Sequence, residues 1–227
     1  MINIKDNLDK IKAQINQACQ QSGRNSNEVK LLAVSKTKPA SDVEQAYLAG
    51  QTDFGENYLQ DALEKITQLS HLPQITWHFI GPIQSNKTKH IAEHFAWVHS
   101  IDRAKIALRL NDHLNDIDSQ DTPLNICLQV NISEENSKSG LSIEEILPLA
   151  EQVNQCKNLC LRGLMAIPEK NASTETYQKM QQLFNDLQQR YPSVDTLSLG
   201  MSNDLAPAIA AGSTMVRIGT AIFGARA

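Results

Sequence analysis

Two periodicities take turns along this chain. Ile4, Leu8, Ile11, Ile15 and Ala18 recur at helical spacing and predict an amphipathic helix over 4–20, with Gly23 as its terminator. LLAVSK at 31–36 is then a short apolar run of strand type. The next helix opens at Ser41-Asp42-Val43-Glu44, a capping-box pattern, and stops near Gly50. TDFGEN (52–57) is a second strand, followed by a helix carrying Leu59, Ala62, Leu63, Ile66 and Leu69. ITWHFI (75–80) precedes a helix from about Ser85, and AWVHSI (96–101) precedes one from about Asp102. NICLQVN (125–131) leads to a second capping-box pattern at Ser142-Ile143-Glu144-Glu145. LRGLMAI (161–167) precedes the helix holding Met180, Leu183, Phe184 and Leu187. TLSLG (196–200) precedes a short helix over about 202–211 with Ser202 as its N-cap, and MVRIG (215–219) is the last strand.

Strands alternating with helices indicate a parallel sheet. Eight strands, with helices after the first seven, match a single α/β domain of the (β/α)8 TIM-type barrel class. No room for a helix remains after strand eight, and the extra N-terminal helix can fill that place in the outer ring. The rival is an open doubly wound sheet, but the first βα turn lacks GxGxxG. No linker rich in Pro, Gly or Ser marks a second domain, so residues 1–227 are expected to form one.

Composition narrows the function classes. Hydrophobic residues make up 41% of the chain and aromatics only 5%, so the core must be built mainly from Leu, Ile, Val and Ala. With a formal charge of −4 and no long basic run, neither nucleic acid nor an anionic membrane is expected as a partner. Cys19, Cys127, Cys156 and Cys160 complete no zinc pattern, and thiols in a reducing compartment are the expected state. No apolar run approaches the ~20 residues of a membrane span, and MINIKDNLDK has no apolar leader core, so a cytoplasmic protein is expected.

In a barrel the working residues sit at the C-terminal ends of the strands, which here carry Lys36, Asn57, His78, Met201, Ser202, Arg217, Gly219 and Thr220. Alternation puts Leu32, Val34 and Lys36 on one face of the first strand. A lysine there can simply reach into solvent. Arg217, however, interrupts MVRIG in its middle, where a permanent charge is costly unless paired or hydrogen-bonded. Strand eight of a closed barrel lies beside strand one, so the two cations would share the cavity mouth. That calls for a bound anion or a neutralised lysine, and a neutral amine is the form that attacks an aldehyde. The alternative is an acidic neighbour pairing Arg217. The loops after strands seven and eight, with Ser202 and Gly219-Thr220, are where barrels often bind phosphate. His78 and His99 each sit in a short apolar strand, where a satisfied core histidine is the commoner case; Gly81-Pro82 soon after makes His78 the better site candidate.

LLAVSKTKP, FGENY, WHFIGPIQSNK, VHSID, VNISEENSKSG, LRGLMAIP, LSLGMSNDLAPAI and GSTMVRIGTAIFGAR, in this order over about 30–226, resemble the pyridoxal phosphate homeostasis protein family. The resemblance implies the alanine racemase N-terminal domain barrel, fold type III among proteins of pyridoxal 5′-phosphate (PLP). By resemblance, Lys36 is the Schiff-base lysine and Arg217 faces the pyridine nitrogen. Ser202, Gly219 and Thr220 would hold the phosphate, Met201 would pack on the ring, Asn57 would line the site, and His78 carries over as a further contact. Lys138 in NSKSG belongs to a motif that the resemblance shares with this family.

An arginine at the pyridine nitrogen leaves the ring a poorer electron sink than a carboxylate does. Racemases of this fold also take a tyrosine base from a second domain, and only eight residues follow Gly219 here. Tyr47, Tyr58, Tyr177 and Tyr191 all lie in or beside predicted helices, Tyr58 nearest the rim. The expectation is therefore a monomeric, non-catalytic carrier or buffer of PLP, with no catalytic residues and no metal, serving vitamin B6 and amino-acid homeostasis with apo-enzymes as recipients. A PLP enzyme acting on amino acids is the alternative, and an imine-forming aldolase a third.

Overall fold

The computed structural model describes residues 2–116, 122–133, 135 and 139–225; Lys138 lies outside them. Helix α1 (Ile4–Gln21) comes first, started by the Asn3 side chain accepting from the Asp6 N–H. The alternation then runs β1 (Lys30–Val34), α2 (Ala40–Leu48), β2 (Asp53–Glu56), α3 (Leu59–Gln68), β3 (Thr76–Phe79) and α4 (Thr88–His94). It continues with β4 (Trp97–Ile101), α5 (Ala104–Asn115), β5 (Leu124–Val130), α6 (Ile143–Asn154), β6 (Leu159–Ala166) and α7 (Thr174–Arg190). The last elements are β7 (Thr196–Ser198), α8 (Leu205–Ala210), β8 (Met215–Ile218) and α9 (Thr220–Phe223).

All strand pairs are parallel, and β8 pairs with β1 to close the barrel, Leu32 beside Arg217. Alternation sorts each strand between two layers. Leu31 and Ala33 join the core shared with the helices, alongside Leu8, Ile11 and Ile15 of α1. Leu32 is as deeply buried but stands outside that cluster, on the inner face. Contacts between non-neighbouring strands must cross the interior. His99 of β4 reaches Ser198 of β7 there, next to a small apolar cluster of Trp97, Cys127 and Met165.

Three sequence expectations need correction. A one-turn helix, α9, does follow β8, and α1 packs against α2, α8 and α9 to complete the outer ring. Helix α2 starts at Ala40 because Pro39 occupies the cap position with its fixed φ of −67°; Ser41 and Asp42 fall inside the first turn and make no capping box. Ser202 does not cap α8, since Asp204 holds that position. The Ser142 box does form, its backbone N–H donating to the Glu145 carboxylate at 2.8 Å.

Candidate functional site

A cavity of about 570 Å³ opens at the C-terminal ends of the strands. Its wall includes Val34 and Lys36 from the end of β1, Asn57 after β2, Arg217 in β8, and the backbone around Ser202 and Gly219-Thr220. Val34 and Lys36 both face it, as period-two alternation requires. Of the sequence-predicted site residues, Lys36, Asn57, Met201, Ser202, Arg217, Gly219 and Thr220 all meet here. Ile80, Met165, Ile167, Asn203 and Ala221 complete the lining. Ile80 and Ile167 were legible as the last residues of apolar runs; nothing local distinguished Asn203. Lys36 and Arg217 are the titratable side chains of this lining.

His78 is the predicted residue that the structure keeps out of the cavity lining. Its ring is fully buried in mid-strand, stacked on Trp97 at 5.3 Å, and lies deeper inside the barrel. Both of its nitrogens are engaged, Nε2 with Asp53 and Nδ1 with His99 at 3.0 Å each. Burial lowers the pKa of His78 against the pull of Asp53, and lowers that of His99 well below the ordinary range with His78 and Arg217 adding to the effect. Both rings are therefore neutral near pH 7. Burial also raises the Asp53 carboxyl, but the hydrogen bond from His78 and the nearby Lys30 ammonium outweigh it and leave a pKa of about 2.

Arg217 is 5% exposed and has no carboxylate partner among the described residues. Neutral acceptors hold it instead. Nη1 donates to the Ser198 carbonyl at 2.6 Å and the Ser198 hydroxyl at 2.8 Å, and Nη2 donates to the Ala166 carbonyl at 2.8 Å. A guanidinium has five N–H groups, so two hydrogens keep no protein acceptor among the described residues. Burial pushes the pKa down to about 10, which still leaves a cation at neutral pH.

Lys36 is anchored from behind through its neighbours. Ser35 donates its hydroxyl to Glu56 at 2.6 Å and accepts at its carbonyl from Lys65 at 2.7 Å. Lys65, 3% exposed, also donates to Glu56 at 2.8 Å and Asp61 at 2.9 Å. Asp61 in turn accepts the backbone N–H of Thr37, which sits at a φ of +63°, an unusual conformation for a residue with a branched side chain. Burial raises the Glu56 carboxyl above its ordinary range even beside the ammonium. The chain is thus fixed on both sides of Lys36.

Two strands round the barrel from β1, Gly200, at φ +98°, turns the chain out of β7 where a Cβ would meet Ala208 at 2.6 Å. Asp204 then accepts the Met201 N–H at 2.6 Å and the Tyr177 hydroxyl at 2.9 Å, which leaves Ser202 on the cavity wall. The first amides of α9 have no acceptor within that helix, and the Asn57 Oδ1 is buried without a hydrogen bond among the described residues. Tyr58 is half exposed and does not line the cavity. Away from the site, His90, Glu93 and His94 lie close together on an exposed face of α4.

The alanine racemase N-terminal domain model matches residues 7–227. The pyridoxal phosphate homeostasis protein of Haemophilus influenzae is 53% identical over 232 residues, covering 99% of this chain and 97% of that one. Its counterpart in Pseudomonas aeruginosa is 54% identical over 230 residues, covering 100% and 97%. The chain belongs to the pyridoxal phosphate homeostasis protein family. Among solved structures, PipY of Synechococcus elongatus PCC7942 with PLP bound superposes with a TM-score of 0.84 at 33% identity, over 97% of this chain and all of that one. An alanine racemase of Clostridium difficile superposes at 0.75 with 11% identity over 56% of its own length, a likeness of fold alone. In this member of the homeostasis family no described helix is long and apolar enough to cross a membrane.

Proposed function

We propose that residues 1–227 act as one PLP-binding barrel that carries or buffers the cofactor without notable catalysis. The observation that carries this reading is the pairing in one cavity of an amine, Lys36, with a buried guanidinium, Arg217, that retains unused N–H donors. Bound PLP supplies an aldehyde that condenses with a primary amine and a pyridine ring that withdraws electrons.

The residues present fit that group. A volume of about 570 Å³ suits a small cofactor. Arg217 offers donors and no acceptor, so a ring nitrogen beside it would stay unprotonated and the ring would be a weak electron sink. Met201, Val34 and Ile167 provide apolar cover, and the orphaned Asn57 oxygen can accept from a polar substituent. Ser202 and the Gly219-Thr220 backbone supply a hydroxyl and amides for a phosphate. Among the described residues no carboxylate, imidazole or phenol lines this cavity, so of these Lys36 is the group that could receive a proton taken from a bound amino acid. The family name and the PLP-containing PipY structure support the same reading. It takes the carrier to be cytoplasmic and monomeric, with apo-enzymes as recipients.

Incubation with PLP followed by borohydride reduction and peptide mapping tests this. A pyridoxyl label on Lys36, lost with the visible absorption band in Lys36→Ala, is the expected result. A label on another lysine would overturn the assignment.

A further inference from the structure

Five buried or nearly buried polar side chains form an unbroken file through the barrel, and the cofactor reading uses only one of them. It starts at Arg217 in the cavity wall, whose Nη1 donates to the Ser198 hydroxyl at 2.8 Å. Ser198 Oγ lies 3.1 Å from His99 Nδ1, His99 Nε2 lies 3.0 Å from His78 Nδ1, and His78 Nε2 lies 3.0 Å from Asp53 Oδ1. Asp53 is the first residue of β2, at the opposite mouth of the barrel, with Lys30 at 3.2 Å and Thr52 donating at 3.0 Å. A recess of about 340 Å³ lined by Lys30, Gln51, Thr52 and Asp53 opens there.

The two ends dictate every proton between them. A guanidinium only donates, and an ionised carboxylate only accepts. His78 must therefore carry its hydrogen on Nε2, towards Asp53. A neutral His78 then has a bare Nδ1, which accepts from His99 Nε2–H. That leaves His99 Nδ1 bare, and it accepts from the Ser198 hydroxyl, whose oxygen accepts from Arg217. All four hydrogen bonds point one way, from the cavity to the far mouth. A protonated His78 would reverse the two inner bonds, leave the Ser198 hydroxyl hydrogen without an acceptor, and place a third positive charge in file with Lys30 and Arg217.

We propose that Asp53, His78, His99 and Ser198 are positioning residues that hold Arg217 in one orientation, so that its unused N–H groups are presented to the cavity ligand from a fixed place. Each acceptor in the file turns its lone pair towards the cation, and the anion at the far end sets that polarity. The Ser198 carbonyl accepts the second hydrogen of Nη1, and the Ala166 carbonyl accepts one from Nη2. A charge change at Asp53, outside the cavity, is thereby felt at its wall. The tautomer assignment stands on the ligand-free protein; the effect on ligand rests on the PLP reading above.

Nitrogen-15 NMR of ligand-free protein at about pH 7.5 tests the first part, with both His78 and His99 expected as neutral Nε2–H tautomers. An Nδ1–H tautomer or a doubly protonated ring at either position would overturn the file. PLP titration of Asp53→Asn and Ser198→Ala tests the second. Each is expected to weaken PLP binding about tenfold, the size of one lost charge-assisted hydrogen bond, and to displace the absorption band of bound PLP. Lys30→Met, which leaves the file intact, is expected to bind within about twofold of the parent with an unmoved band. If Asp53→Asn fails to fold, Ser198→Ala carries the test, since it removes one hydroxyl and keeps the carbonyl that holds Arg217. Wild-type affinity and an unmoved band in the folded variants would refute the positioning role. A parent protein that binds no PLP refutes the cofactor reading instead, and leaves the NMR result to decide the file.

Discussion

Lys65→Met is the substitution whose cost can be worked most directly from the structure. The ammonium is 3% exposed and makes three donations, to Ser35 O, Glu56 Oε1 and Asp61 Oδ2. Methionine fills similar volume, so the packing loss is small. What remains is a buried Glu56 whose Oε1 keeps only the Ser35 hydroxyl and whose Oε2 has no partner. Leaving one member of a buried pair alone costs about 3–5 kcal/mol. Protonation sets a ceiling on the glutamate's share. Holding a glutamate neutral at pH 7 against an unfolded pKa of ~4.3 costs about 3.7 kcal/mol. The expected loss at pH 7 is thus about 3–4 kcal/mol.

The sign of its pH dependence follows. In the variant the folded-state pKa of Glu56, already raised in the parent, rises further. Its stability is then fullest below the unfolded pKa and is lost as pH rises towards the folded value. Moving from pH 7 to 5.5 should return about 2 kcal/mol of the deficit relative to parent. Urea unfolding of both proteins at both pH values measures this, and Lys65→Met with Glu56→Gln should recover much of the loss. A deficit under about 1 kcal/mol, or one equal at the two pH values, would show that the pair is not the isolated buried unit described here. Because the same bracket fixes the backbone beside Lys36, PLP affinity should fall with stability in the single variant.

Three further outcomes are expected. The parent protein should lose stability as pH falls from 6.5 to 5.5, by at most about 1 kcal/mol for each of His78 and His99, because burial lowers both folded-state pKa values and only the unfolded chain takes up the protons; urea unfolding that is flat or more favourable at pH 5.5 would contradict this. Pyridoxal should bind at least about 100-fold more weakly than PLP in competitive dialysis, from the loss of several charge-assisted hydrogen bonds around Ser202 and Gly219-Thr220, and equal affinities would move the phosphate site elsewhere. Amino acids should be racemised, transaminated or decarboxylated at well under ~1 s⁻¹, and turnover above that, lost in Lys36→Ala, would establish an enzyme.

Much of the barrel could be read from sequence alone, because its signals are local. Whether Ile4, Leu8 and Ile11 line one side of a helix, or Val34 and Lys36 share a strand face, depends on backbone geometry within a few residues. Arg217 stood out for the same reason, as a charge among apolar neighbours in a strand. Local competition already blurred the picture at caps, where Pro39 displaced Ser41 and Asp204 displaced Ser202 within a single turn. The partners of the buried polar groups were beyond reach. His78 read as a strand-end site residue, yet its role depends on Asp53, 25 positions away, and on His99, 21 positions away, while His99 meets Ser198 across 99. Period-two alternation says which residues face the interior, but not at what height each strand sets them, and height is decided by the register of eight paired strands closing on themselves. Only that closure brings a carboxylate, two imidazoles, a hydroxyl and a guanidinium into one file, because in a dry interior each must find its donor or acceptor among whatever the other strands present at its own level.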